Sequence, residues 1–307
     1  DDWGHEITIG WRDKFGEKGS YWVRLSTGYS DNEVKKCADI VNPDRDDLVV
    51  GKRKDHGIWG LQCLGMFKST QEIEEYFDQY HITEYMGYTK DKVRPGMLIY
   101  KDVNGRWNST EKRYDPQPDG IVDAADDLVQ ISKRSDNPWG ATVNLGAKWN
   151  GFSVQAQIGA SWGSYMMVPS TVRKSYTALT GEYGNIPVFW KDMFVYEDVV
   201  DASGVVTVPA NTDSNIPNFR YGINMNESTY WRIKATRVTI PSLSIGYEMP
   251  RKLISRIGMN SCRFNVTCQN VASIVSPHYK NAWSAWGGNY SYYPNLRKVT
   301  MGVNVSF

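Results

Sequence analysis

Read back from its carboxy end, the chain alternates without interruption. Phe307, Val305, Val303, Met301 and Val299 fall on one side, and Ser306, Asn304, Gly302, Thr300 and Lys298 on the other. A period of two marks a strand with one apolar face. The run before it repeats the pattern, with Cys262, Phe264, Val266 and Cys268 set against Ser261, Arg263, Asn265, Thr267 and Gln269. Further upstream Leu243, Ile245, Tyr247 and Met249 alternate with Ser242, Ser244, Gly246 and Glu248. Residues 238–241 run in the opposite phase, so Pro241 is expected to mark a bulge where the register flips. Residues 143–149 and 152–162 alternate likewise, and Asn150-Gly151 alone joins them, a strong hairpin signal. Two more amphipathic runs, around Ile7 to Trp11 and Tyr21 to Tyr29, bring the expected strands to seven.

The connections carry a second pattern. Short links at 15–18, 150–151 and 250–257 alternate with long ones at 31–137, 164–233 and 272–295. A soluble sandwich has no reason to segregate its connections in this way, whereas a transmembrane β-barrel has short periplasmic turns and long outer loops. Rings gather near strand ends, at Trp11 and Tyr21, Trp149 and Phe152, Tyr247 and Phe307. These predict an interfacial aromatic girdle. The opposite face would line a wet lumen, and Arg24, Lys148, Gln155, Gln157, Arg263 and Gln269 are its candidate contacts with a plug or a passing substrate. The expected fold class is therefore all-β, a transmembrane antiparallel β-barrel segment with long extracellular loops. Seven strands cannot close in lipid, so neighbouring strands must come from elsewhere, and the start at Asp1 reads as processed or truncated.

Composition narrows the classes. The 307 residues are 41% apolar with 12 Trp and 19 Tyr, and no apolar run is long enough for a membrane helix, which excludes helical spans but not strands. A formal charge of +1 without a basic cluster gives no reason to expect a nucleic-acid partner. The four cysteines, at 37, 63, 262 and 268, show no zinc spacing. Cys262 and Cys268 share a face but lie about 20 Å apart at strand rise, while Cys37 and Cys63 either pair in an oxidising compartment or stay reduced.

Several segments are similar to the carboxy-terminal portion of SusC/RagA-like TonB-dependent outer-membrane transporters. They are Gly10-Trp11-Arg12-Asp13-Lys14, Asn137-Pro138-Trp139-Gly140, Tyr230-Trp231-Arg232-Ile233-Lys234, Ile245-Gly246-Tyr247-Glu248-Met249-Pro250, Gln269-Asn270, and the terminal stretch from Tyr293-Pro294 to Phe307. The resemblance runs in order along the whole chain. It implies a plugged barrel of about 22 strands, of which these would be the last seven. It also implies a bacterial outer-membrane location, energy from the TonB complex, and a SusD-like lipoprotein that lids the barrel over a glycan or peptide substrate. On that reading residues 1–307 are one carboxy-terminal barrel segment, with the plug and the TonB box outside it.

One loop motif suggests a cation. Asp102-Val103-Asn104-Gly105 and residues 119–126 would join, without 106–118, into a twelve-residue loop of the EF-hand type. Asp102, Asn104, Asp119, Asp123 and Asp126 would be the oxygen ligands and Gly120 the turn, so Ca2+ is the candidate cofactor, and no other is required. The resemblance adds that a contiguous form of this loop is common in the family. The other reading is a set of solvated loop carboxylates.

Gly159-Ala160-Ser161-Trp162-Gly163 fits the serine-hydrolase pattern, but that chemistry needs a strand-to-helix turn and Ser161 continues a strand pattern. No catalytic residue is assigned, and no enzyme activity is expected. Residues 69–80 predict a helix with a Ser69/Glu72 capping box. Trp283, Trp286, Tyr290, Tyr292 and Tyr293, in the last long loop, are candidates for binding a sugar face or a lid partner, against the alternative of simple loop packing. A secreted soluble β-sandwich carbohydrate-binding module is the alternative for the chain as a whole.

Overall fold

The computed structural model describes residues 1–36, 51–111, 113–168, 170, 173, 192–275 and 296–307. It divides into two compact units, a sheet unit of residues 1–32, 136–164 and 234–307 and a loop unit of residues 33–135 and 165–233.

The sheet unit contains the seven expected strands, β1 (Asp2–Phe15), β2 (Gly19–Asn32), β3 (Trp139–Trp149), β4 (Phe152–Trp162), β5 (Arg237–Glu248), β6 (Ser261–Val275) and β7 (Lys298–Ser306). They pair antiparallel in chain order, β1 through β7, and among the described residues β1 and β7 each leave one edge unpaired. The Asn150-Gly151 link is a two-residue turn with both φ values positive, 46° and 89°, as a type I′ hairpin requires. Pro241 falls where the register shifts on both of its sides, between Gln157 and Gly159 in β4 and between Ile240 and Ser242 opposite β6. A proline has no N–H to give to the ladder, so the bulge is where it fits. Strand β6 runs past Gln269, because left-handed Asn270 (φ 53°) absorbs the extra residue opposite Pro241 and pairing resumes at Ala272.

Among the described residues of this unit, no second sheet accompanies the apolar face. Ile9, Ile245 and Met301 are 64%, 51% and 78% exposed. At the tight-turn end of that face Phe15 lies 6.3 Å from Tyr21, and Phe152 lies 4.5 Å from Tyr247. At the other end, a second row of rings crosses four strands in register. His5 stacks on Tyr29 at 5.9 Å, Tyr29 meets Trp139 at 4.7 Å, and Trp139 stacks on Trp162 at 6.4 Å. Trp139 and Trp149 are the first and last residues of an 11-residue strand. That is about 33 Å at strand rise, or about 25 Å for a strand tilted by about 40°.

The loop unit is built differently. Helix α1 (Thr70–Gln79) starts as predicted: the Ser69 hydroxyl accepts from the Glu72 amide at 3.2 Å. Glu72 reaches back one residue further than a regular capping box, accepting from the Lys68 amide at 2.7 Å. Its buried residues Ile73, Tyr76 and Phe77 follow helical spacing and join a closed core with Leu61, Phe67, Tyr85, Leu98, Tyr100 and Val122. The phenols in this core are satisfied by backbone: Tyr76 donates to Tyr100 O and Tyr85 to Leu98 O, each at 2.5 Å, and Tyr100 to Ile223 O at 2.8 Å. Asn224, fully buried, ties the core to its rim by accepting from Leu98 N and donating to Gly96 O and Asn218 O.

Candidate functional site

Strand register converts the alternating pattern into a two-dimensional map. On the polar face one row crosses the whole sheet: Gly10, Arg24, Asn144, Gln157, Ser242, Gln269 and Lys298 are successive partners. Gln155 lies in the next row toward the tight turns with Trp22, Gly146 and Ser244, and Lys148 beyond it between Ser20 and Ser153. Arg263 stands opposite Glu248 near the end of β5. All six side chains proposed from the sequence as lumen contacts therefore share one face, and all are exposed except Gln157, which is half-buried.

Two glycines shape this face. A Cβ on Gly146 would lie 2.6 Å from Trp22 Nε1, so the indole can sit against this strand only because that side chain is missing. Gly246 leaves room for Arg263 to cross it, and Arg263 Nη2 donates to Ser153 Oγ two strands away at 3.3 Å. Hydroxyl pairs, Thr8 with Ser26 and Ser244 with Thr267, each 2.9 Å apart, satisfy neighbouring positions from within the face. Trp22, the one ring on the central polar face among the described residues, was not singled out by the sequence patterns. The signal is its phase, which is that of Arg24 and Ser26 rather than of Tyr21 and Val23.

The charge on this face is one-sided. Arg12, Lys14, Arg24, Lys148, Arg237 and Lys298 share it with Arg263, against Asp2, Glu6 and Glu248. None of the first six forms an ion pair among the described residues. A chain of nearly zero net charge thus has a positive wall, balanced by carboxylates elsewhere.

At the long-connection end, Asn137 organises the strand entries. Its Nδ2 donates to Ser161 Oγ at 3.1 Å and Ala235 O at 2.7 Å, and its Oδ1 accepts from Ser164 N at 3.2 Å. Ser161 also accepts from Arg237 Nε at 3.3 Å and lies within β4, so the Gly-x-Ser-x-Gly match is a strand residue holding two neighbours together.

The loop unit brings the two halves of the interrupted calcium motif together. Asp102 Oδ2 accepts from the Gly120 amide at 2.7 Å, and Gly120 takes φ +81°. Asn104 Nδ2 donates to Asp126 O at 2.8 Å. The intervening residues form a small hairpin, Trp107–Asn108 paired with Arg113–Tyr114. Arg106 at its neck reaches Asp119, Asp123 and Asp126 at 3.7, 3.2 and 3.5 Å. Asp127, adjacent to the predicted ligands and missed by the motif, is fully buried and accepts from the amides of Val103, Asn104 and Asp123 at 2.6, 3.1 and 3.0 Å. Burial, then the charge of Asp123, push Asp126 up to about 7 against the pull of Arg106. Burial also raises Asp102 and Asp127, opposed by the amides each accepts from.

The donor set suits a hard cation. Asp102 Oδ1 and both Asp126 carboxylate oxygens are buried without a hydrogen-bond partner. As arranged around Arg106, however, no three His, Cys, Asp or Glu residues among those described are grouped to hold a metal ion.

Trp283, Trp286, Tyr290, Tyr292 and Tyr293 lie outside the described residues, as does Cys37. Cys63, Cys262 and Cys268 are free thiols, and burial pushes the Cys63 thiol up to about 11.

A meander of seven long antiparallel strands, apolar on one face and polar on the other, with short links at one end and long excursions at the other, has the build of a wall segment of an antiparallel barrel of the outer-membrane type. The particular kin agree with this class: the chain is similar to SusC/RagA-like TonB-dependent transporters. TonB-dependent receptor P3 of Formosa agariphila is 27% identical over 111 residues, 32% of this chain and 11% of that receptor. The whole chain superposes on the RagAB peptide transporter with a TM-score of 0.63 at 15% identity, covering 29% of that chain. On the RagAB peptide importer in its 'open-open' state the TM-score is 0.61 at 14% identity, covering 28%. The chain thus spans less than a third of the length of the proteins it matches. No family model matches it.

Proposed function

We propose that this chain is the carboxy-terminal wall and outer-loop segment of a bacterial outer-membrane TonB-dependent transporter that imports oligomeric nutrients, glycan or peptide, with a SusD-like lid lipoprotein. The observation that carries the reading is the two-faced sheet. Its exposed apolar face is bounded by two rows of rings separated by about the height of a bilayer's apolar band. Its other face is polar and positive, with exposed cations standing above half-buried hydroxyl and amide side chains. The remaining barrel, the plug and the TonB contact would lie outside this chain, and the unpaired edges of β1 and β7 are where further strands would add. The exposed apolar face, without a second sheet among the described residues of its unit, speaks against the soluble sandwich, whose core would need one there.

The row holding Arg24, Gln157, Gln269 and Lys298 would hand cargo along by hydrogen bonding, and its positive potential favours anionic oligomers. Uptake of fluorescent oligosaccharides and peptides by cells carrying the protein tests this. Expected are loss of uptake with a protonophore and a roughly tenfold drop in uptake of anionic cargo in Arg24→Glu/Lys298→Glu at unchanged surface level. Uptake indifferent to both treatments would reject the transport reading.

A further inference from the structure

The short link between β5 and β6 has a fold of its own. It forms one turn of helix, α2 (Arg251–Ile254), continued by a 3-10 turn over Ser255–Ile257 and stopped at left-handed Gly258, φ 76°. Both of its ends are fixed to the sheet, with Met249 N donating to Cys262 O at 2.9 Å and Asn260 N to Ser306 O at 2.7 Å. Cys262 has the phase of Phe264 and Val266 on the apolar face, yet it is 5% exposed where Phe264 is 44%. Helix α2 packs against β6, and its Ile254 is 1% exposed. The link therefore folds over the end of the apolar face, beside the row formed by Phe152, Tyr247 and Phe264.

We propose that this link is a docking surface for anionic phospholipid headgroups, in the leaflet at the tight-turn end of the sheet; the proposal rests on the membrane reading above. Its cations are Arg251, Lys252 and Arg256, and no acidic residue occurs from Met249 to Arg263. All three are exposed, and none forms an ion pair among the described residues. Leu253 and Ile257, four residues apart, are 55% and 65% exposed beside them. Ile254 already anchors the link, so water gives these two side chains no reason to project. A segment lying among headgroups has this composition, with apolar groups turned to acyl chains and cations to phosphate. The other tight links lack the combination: Glu17 stands next to Lys18 in the first, and Asn150-Gly151 carries no charge. An acidic protein would match the cations but leave Leu253 and Ile257 without a counterpart, whereas a neutral bilayer would do the reverse. An anionic lipid surface matches both, and it continues the face assigned to hydrocarbon.

Native mass spectrometry of the detergent-purified protein, equilibrated with equal amounts of phosphatidylglycerol and phosphatidylcholine, tests the proposal. The unchanged protein should retain phosphatidylglycerol at least about tenfold over phosphatidylcholine. Raising the ionic strength should lower that preference several-fold, since the cations are exposed. The variant Arg251→Gln/Lys252→Gln/Arg256→Gln should fall to within about threefold of parity, while Lys92→Gln/Lys101→Gln/Lys133→Gln, which discharges the loop unit equally, should keep the preference. Leu253→Ser/Ile257→Ser should lower retention of phosphatidylglycerol roughly threefold or more. A preference that survives discharge of the link, or that is lost equally on discharge of the loop unit, overturns the proposal. Should the link variant fail to fold, the salt response of the unchanged protein decides, and a preference indifferent to ionic strength overturns the proposal. Solubility of the unchanged protein without detergent would instead overturn the membrane reading, a result distinct from an absent lipid preference in a protein that needs detergent.

Discussion

The two units spend their apolar residues in opposite ways. In the loop unit, Leu61, Phe67, Tyr85, Leu98 and Tyr100 are fully buried and the helix presents only its apolar stripe to them. In the sheet unit the largest apolar side chains, among them Ile9, Trp11, Met301 and Val303, remain exposed, and Cys262 and Ile254 are its only hydrophobic side chains that are buried among the described residues. The same composition thus serves two solvents. The loop unit is stabilised by withdrawing surface from water, whereas the sheet is held by its ladder and leaves its apolar face exposed, as the proposed place in a membrane barrel wall requires.

Core truncation should produce the largest effect and confine it to one unit. Phe67→Ala removes a ring packed 5.4 Å from Tyr76 and 6.0 Å from Tyr85, and should cost the loop unit about 3–5 kcal/mol. Hydrogen exchange should show amides of residues 61–100 losing protection while those of β1–β7 keep it. Leu25 of β2 lies midway between Tyr21 and Tyr29, opposite Ile9 and Val143. Leu25→Arg should cost the sheet about 2–4 kcal/mol in bilayer refolding, where an exposed position facing water would tolerate it within a few tenths.

The smallest effect lies in a loop anchor. Burial alone would raise Asp55, but the Ser135 amide and hydroxyl, both at 2.8 Å, and Arg53 at 3.0 Å hold it down at about 2. A carboxylate lowered on folding contributes stability above its unfolded pKa near 4 and loses it as pH falls through about 2. Asp55→Asn should cost about 1 kcal/mol at pH 7, after allowing for solvent screening, and progressively less as the pH falls from about 4 to 2.

What the sequence disclosed follows the same division. A period of two with one face apolar survives in β1 to β7 because each strand meets two fixed environments, so strands, the Asn150-Gly151 hairpin and the bulge at Pro241 were all legible. The row formed by His5, Tyr29, Trp139 and Trp162 was not, because its members are far apart in sequence and meet only through register. The core of the loop unit was hidden for a related reason: short strands and turns gather Leu61, Phe67, Leu98, Val122 and Phe194 from separated segments without a repeating period. Four of the five clustered carboxylates, all but Asp127, were visible as a broken motif. The role of Arg106 was not, since it begins the insertion that breaks the motif and acquires meaning only when the chain folds back.

The central claim is that the two faces of the sheet meet hydrocarbon and water. A nitroxide scan along β2 from Tyr21 to Tyr29, in protein reconstituted in bilayers, tests it most directly. Odd positions should be relaxed by lipid-soluble oxygen and even positions by a water-soluble nickel reagent, with oxygen access greatest at Leu25. Odd positions shielded from both reagents, or relaxed only by nickel, would contradict the account.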